Sequence, residues 1–178
     1  MSSLIPSVIG IEKEGDMRAK DLMIPLQDRL DPDITLEEAV NRLKTAKRGE
    51  KMVGVKGLPV LDKKGKLIGM LSMGDILKAV WPSYMSMMDL GEFTWDGMVE
   101  DFAKKVAERK VADLMTREVV TIEEESPLME CVDHMVRHNV KRLPVLDRHG
   151  KVIGMLYERD VFLAVTKSLH AQEGGGKK

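Results

Sequence analysis

With only one cysteine, Cys131, the 178-residue chain can form no intramolecular disulfide. Its neighbours Val132, Met135 and Val136 point to a buried thiol on a helix and not to a nucleophile, and so low a cysteine content suits a reducing, cytoplasmic setting. Charge of one sign is lacking as well. The formal net charge is −1, with acidic and basic side chains interspersed, which leaves no electrostatic footprint for nucleic acid or an anionic membrane. No stretch nears the roughly 18 apolar residues that would span a bilayer. Met1 to Gly10 lacks the basic start and long apolar core of a signal peptide. Catalytic signatures are missing too: there is no His-Glu-x-x-His, Cys-x-x-Cys, Gly-x-Ser-x-Gly, P-loop or Gly-x-Gly-x-x-Gly. His134 and His138 lie one helical turn apart but have no evident third ligand, so they read as a solvent-facing strip and not as a metal site. The expectation is a non-catalytic protein with no metal and no obligatory cofactor.

What the chain does have is a repeat. Leu58 to Leu77 reads LPVLDKKGKLIGMLSMGDIL and Leu143 to Phe162 reads LPVLDRHGKVIGMLYERDVF, with 12 of 20 positions identical at an offset of 85. Upstream, Asp21-Leu22-Met23 matches Asp113-Leu114-Met115 at an offset of 92. The difference of seven residues is one insertion in the first copy, near Ala46 to Gly54. Two copies are too few for a stacked solenoid, so they are expected to pack on each other as a pseudo-symmetric pair, with function in the cleft between them.

Each copy reads as strand, helix, strand, strand, helix. In the first, Leu26 to Leu30 is a weak strand candidate. A helix from Leu36 to about Arg48 follows, opened by the capping box Thr35-Leu36-Glu37-Glu38. In the second, Ser126 is the expected cap and Pro127 the first helical residue. Two strands flank Asp62-Lys63-Lys64-Gly65, and the second copy repeats them around Asp147-Arg148-His149-Gly150. Closing helices are expected from about Met73 to Val80 and from about Glu158 to Leu169. The resulting division is an extension (1–16), a first repeat (17–80), a helical connector (81–110), a second repeat (111–169) and a disordered tail (170–178). The connector holds both tryptophans and two of the three phenylalanines. Asp96 is its expected N-cap, Met98, Phe102 and Val106 its apolar stripe, and Arg109 and Lys110 its last turn. Tyr84, Trp95, Met98 and Phe102 are expected to be covered by the module or by a dimer partner.

These residues resemble a known family. The repeated Leu-Pro-Val-Leu-Asp, turn glycine, Ile-Gly-Met-Leu and helix-start aspartate are similar to the cystathionine-β-synthase (CBS) domain, and two copies in tandem resemble the Bateman module of AMP-activated kinase γ subunits, IMP dehydrogenases and chloride channels. The likeness covers Ala19 to about Val80 and Val111 to about Val165. It implies an α/β (α+β) fold of two tandem βαββα repeats packed about a pseudo-two-fold. It also implies adenosyl ligands (AMP, ADP, ATP or S-adenosylmethionine) in two clefts, pairing of modules into a homodimer, and an effector protein that the sequence does not identify.

The sharpest local signal is Ser72-Met73-Gly74-Asp75 at a strand-to-helix junction. A carboxylate there can accept from both ribose hydroxyls, and a helix N-terminus offers N–H groups to an anion. In the family this Ser/Thr-x-x-Asp pattern grips the ribose; Ser-x-x-Asp is equally an ordinary N-cap. Carried over, the first cleft would use Ser72, Asp75 and Met70, with Val119 and Val120 as apolar walls and Lys141, Arg142, Leu143 and Pro144 as the rim. Lys141 and Arg142 would meet phosphates, unless they are only surface charges before a strand. The second cleft departs from the pattern, with Tyr157-Glu158-Arg159-Asp160. It would comprise Tyr157, Asp160, Met155 and Leu26, with Val55, Lys56, Gly57, Leu58 and Pro59 as the rim. Tyr157 could stack on adenine or fill the pocket. The insertion's Lys47, Arg48 and Lys51 read as a phosphate clamp or, alternatively, as a solvated basic loop.

Overall fold

A computed structural model describes residues 17–49, 52–88 and 95–170; the expected extension, the tail beyond His170 and Lys51 lie outside them. Two β-hairpins carry the repeated sequence. In the first copy β4 (Gly57–Leu61) pairs antiparallel with β5 (Leu67–Ser72); in the second β7 (Arg142–Leu146) pairs with β8 (Val152–Tyr157). Both hairpins slip register at equivalent places, between Val60 and Leu61 and between Val145 and Leu146. Their turns are built alike as well. The Asp62 carboxylate accepts from the Lys64 and Lys66 amides, and Asp147 accepts from His149 and Lys151. Gly65 and Gly150 then take φ of 80° and 75°, the left-handed region a side chain would disfavour.

The remaining elements pack on these hairpins. The helix α1 (Ala19–Leu22) and strand β1 (Ile24–Pro25) open the first copy; α5 (Val111–Leu114) opens the second. Each opening segment joins the other copy's hairpin: β1 pairs with β8, while Thr116 bridges Met70 on β5. The repeated Asp-Leu-Met explains the repeated Ile-Gly-Met-Leu. Met115 lies on Gly69 and Met23 on Gly154, where a Cβ would collide with the thioether. The two cores are accordingly mixed. One gathers Leu30, Leu36, Val60 and Leu71 with Val111 and Met115; the other joins Ala19 to Cys131, Leu143, Val145 and Leu156. Full burial of such Leu and Val side chains stabilises by roughly 1.5–3 kcal/mol each. The fold is the mixed α/β pair expected, with the exchange of opening segments added.

Several boundaries differ from the sequence expectation. The first strand lies at Ile24–Pro25, not at Leu26 to Leu30, because the partner hairpin is what it pairs with; Leu30 makes only an isolated bridge to Val60. The helix α2 (Leu36–Thr45) has the expected Thr35–Glu38 capping box, with the Glu38 amide donating to Thr35 Oγ1 at 3.2 Å. It stops before Arg48 because β2 (Lys47–Arg48) turns back on β3 (Met52–Val53). Pro127, not Ser126, caps α6 (Leu128–Arg137); Ser126 is buried. β6 (Ile122–Glu123) runs parallel to β7. The closing helices are α3 (Met73–Val80) and α7 (Glu158–His170).

In the connector a 3₁₀ turn (Ser83–Met87) precedes α4 (Met98–Ala107). Its N-cap is Gly97 at φ 75°, not Asp96, and its last turn carries Lys104 and Lys105, not Arg109 and Lys110. Met85 is core at 1% exposure and Met98 and Phe102 are half-buried, but Tyr84 and Trp95 stay exposed. Trp81 and Trp95 stack on one another with ring centroids 5.8 Å apart.

Candidate functional site

The N-terminus of α3 is closed by the sequence's own Ser-x-x-Asp. The Asp75 amide donates to Ser72 Oγ at 3.3 Å, while the Ser72 amide and hydroxyl donate to Asp75 Oδ2 at 2.8 and 2.6 Å. The N-cap reading of this tetrapeptide is therefore realised, and it does more than end a helix. It fixes the carboxylate at one rotamer and turns Oδ1 toward the second copy, where Thr116 Oγ1 donates to it at 3.0 Å. Three donors, two of them on the same copy, hold one acid across the interface.

Around that acid lies a cleft of about 240 Å³. It brings together Met70, Ser72 and Asp75 from the first copy with Val119, Val120, Lys141 and Arg142 from the second. Thr116, Glu118, Asn139 and Val140 complete the lining. None of these four was singled out from the sequence, although Thr116 follows the repeated Asp-Leu-Met directly and could have been found there. Leu143 and Pro144, expected on the rim, are instead fully buried inside β7. Alternation along the strand turns Leu143 to the face opposite Arg142, while Pro144 is buried opposite Met155 of β8. The two rim cations are engaged by the protein itself. Lys141 Nζ pairs with Glu158 Oε1 at 2.7 Å, and Arg142 Nη1 donates to the Lys56 carbonyl at 3.0 Å. Arg142 lies over Gly57, its own counterpart in the first copy, where a Cβ would collide with the guanidinium. Burial pulls the Arg142 pKa below its ordinary range, against the opposing influence of Tyr157 and Asp75.

The Asp160 cleft is built differently. About 370 Å³ in volume, it is lined by Tyr157, Glu158, Arg159, Lys141 and Arg142 of the second copy and Arg48, Met52, Gly54, Val55 and Lys56 of the first. Of the residues expected there, Tyr157, Val55 and Lys56 line it and the others do not. Gly57, Leu58 and Pro59 are buried along β4, and Met155 is 3% exposed within β8. Leu26 is spent at the sheet edge, its amide donating to the Ile153 carbonyl at 3.0 Å. Asp160 is not on the cleft surface either. Arg48 Nη2 pairs with its Oδ2 at 2.7 Å, the two side chains being only 15% and 24% exposed. The same guanidinium stands 4.0 Å over the Tyr157 ring. Burial pushes the Tyr157 phenol above its usual pKa, partly offset by Arg48 and Arg142. Arg48 is thus not part of a solvated loop: its guanidinium is engaged by the second copy. Lys47 is held at the base of the same hairpin by its amide, which donates to the Asp28 carboxylate at 3.1 Å.

Among the described residues no group of three or more His, Cys, Asp or Glu is placed to hold a metal. His134 Nδ1 lies 3.2 Å from the Thr121 carbonyl. Cys131 is fully buried, and desolvation pushes its thiol up to about 11; the thiolate a nucleophile needs is suppressed. No described helix is long and apolar enough to cross a membrane.

Comparison with known proteins gives the frame for these two clefts. The family model of the CBS domain matches residues 19–82 and again 111–167. An uncharacterized protein of Methanocaldococcus jannaschii is 33% identical over 124 residues, covering 62% of this chain and 73% of that one. The inosine-5'-monophosphate dehydrogenase of the same organism is 28% identical over 157 residues; these span 88% of this chain but only 24% of the enzyme's length. Among solved structures, the CBS-pair protein CBSX2 of Arabidopsis thaliana, in complex with AMP, superposes with a TM-score of 0.60 at 25% identity, over 85% of this chain and 98% of that chain. The chain belongs to the CBS-domain family and carries two repeats in tandem.

Proposed function

We propose that this CBS pair is a regulatory sensor: an adenosyl ligand (AMP, ADP, ATP or S-adenosylmethionine) binds across the repeat interface in the Asp75 cleft. The observation that carries this reading is the convergence of both copies on one acid. Asp75 faces Val119 and Val120 across the interface, an apolar slot beside a fixed carboxylate, which suits an adenine and a ribose diol. Its volume sits just below the roughly 300–1,000 Å³ of small-molecule pockets, so phosphates would extend toward Lys141 and Arg142. The structurally similar CBSX2 in complex with AMP supports the ligand class.

In this reading the chain performs no chemistry of its own. A ligand touching both copies favours one arrangement of the pair, and a partner protein or the oligomer in the cytoplasm reads the shift. A homodimer is part of the reading, because Met73 and Leu77 on α3 and Phe162 and Leu163 on α7 are exposed apolar side chains at 47–69%. Light scattering coupled to size exclusion tests that pairing.

The second reading is a ligand-free dimerisation scaffold. It is favoured by the apolar groove of about 610 Å³ between α3 and α4, lined by Trp81, Met85, Trp95 and Phe102. Calorimetric titration with AMP, ADP, ATP and S-adenosylmethionine separates the two. The sensor gives saturable heat and a thermal shift that Asp75→Ala removes; no heat and no shift with any of the four rejects it in favour of the scaffold.

A further inference from the structure

The Asp160 cleft contains a cation of the protein's own where a ribose grip would be expected. In the Asp75 cleft the acid is held by two hydroxyls, Ser72 and Thr116. At the equivalent positions around Asp160 stand Tyr157 and Ile24, offset by 85 and 92 residues, and neither makes a hydrogen bond to Asp160 among the described contacts. The acid is held instead by Arg48, which comes from the seven-residue insertion that only the first copy carries. The guanidinium takes both surfaces a nucleoside would use, the carboxylate for the diol and the Tyr157 face for the base.

We propose that Arg48 is an internal occupant of the Asp160 cleft and its specificity-determining residue: a nucleoside enters only if its phosphates draw Arg48 away from Asp160. This rests on the ribose-gripping role of the family's acid and adds the ligand class for the second cleft. The electrostatics favour an anion. Arg48, Lys56, Lys141, Arg142 and Arg159 line the cavity against one acid, Glu158. A neutral nucleoside must break the Arg48–Asp160 pair and leave a half-buried guanidinium without its counter-ion. A polyphosphate offers that guanidinium a bidentate replacement. The sulfonium of S-adenosylmethionine adds a positive charge to an already cationic cavity and is excluded.

Methionine methyls read the two clefts separately, since Met70 lines the first and Met52 the second. The full chain, labelled with methyl-¹³C methionine, is titrated with adenosine, ATP and S-adenosylmethionine. In the native chain ATP shifts Met52, whereas adenosine and S-adenosylmethionine shift only Met70. Arg48→Ala lets adenosine shift Met52 at a concentration at least tenfold lower than in the native chain and weakens ATP there about tenfold. Arg48→Lys, which keeps the charge without the planar fork, falls between the two. The preserved Met70 response to adenosine shows that each variant is folded. Adenosine or S-adenosylmethionine moving Met52 in the native chain as readily as ATP overturns the proposal, and so does an Arg48→Ala chain in which neither midpoint at Met52 changes. A silent Met52 beside a responsive Met70 likewise overturns it and leaves the Asp75 reading intact. Silence at both methyls brings down that reading as well.

Discussion

The Asp75 and Asp160 clefts start from one carboxylate in the same turn of the same repeated helix, and they diverge through four neighbours. Ser72 and Thr116 on one side are Tyr157 and Ile24 on the other; Gly57 faces its counterpart Arg142; and the insertion has no counterpart at all. The first difference decides how the acid is held. Two short hydroxyls leave Asp75 on the cleft surface, whereas an aromatic and an aliphatic leave Asp160 in need of a cation, which Arg48 supplies. The second difference lets Arg142 cross the pseudo-axis and form a wall common to both clefts. Duplication made the frame symmetric, and a handful of side chains then made the two clefts chemically different.

That asymmetry can be broken most severely at Asp75. Loss of two charge-assisted hydrogen bonds at about 1.5 kcal/mol or more each should weaken AMP about a hundredfold or more in Asp75→Ala, measured by calorimetric titration. The symmetric frame is tested next. A Cβ at Gly154 would stand 2.8 Å from the Ile24 carbonyl, and one at Gly69 3.0 Å from the Thr116 carbonyl. Gly154→Ala should therefore lower stability by about 2–3 kcal/mol and Gly69→Ala by somewhat less, both within the usual overpacking range, seen as falls in Tm. Thr116→Val removes the hydroxyl that aims Asp75 while Ser72 keeps the helix capped, so AMP affinity should drop about five- to tenfold with little change in Tm. The reciprocal pair Ile24→Thr with Tyr157→Ser should make the Asp160 cleft behave more like its twin.

The smallest effect at neutral pH belongs to Cys131, whose counterpart in the first copy is the equally buried Ala39. Burial raises the thiol in the folded chain to about 11 from an ordinary 9.0. The unfolded chain therefore loses its proton first. The contribution to stability is complete below about pH 9 and is lost as pH climbs toward 11, at no more than about 1.4 kcal/mol per pH unit. Cys131→Ala should flatten that decline in denaturant melts across the same range.

Much of the frame was legible because its signals are local. Asp62 and Gly65, and Asp147 and Gly150, specify their turns through contacts two to four residues away, and Thr35 and Glu38 cap their helix in the same manner. The Asp75 cleft was legible in large part through the repeat, which told where the copies should face each other. The differences lie where burial depends on packing between elements. Leu143, Pro144, Leu58 and Pro59 were placed on a rim by their position in a motif, and they are buried within the paired strands. Trp95 and Tyr84 were expected to be covered by the module or by a dimer partner, and the module alone leaves them more than half exposed.

By itself, the order of residues determined the duplicated unit, its turns, the Thr35 and Ser72 caps and the acid at each helix start. All of these depend on chemistry within a few neighbours or on plain self-similarity. The tertiary structure alone decided that each copy's opening segment crosses to the other, that Thr116 steadies Asp75, and that Arg48 reaches Asp160 across 112 residues. Such long-range pairings arise only when two hairpins have packed and left particular side chains within reach. No spacing along the chain encodes that distance.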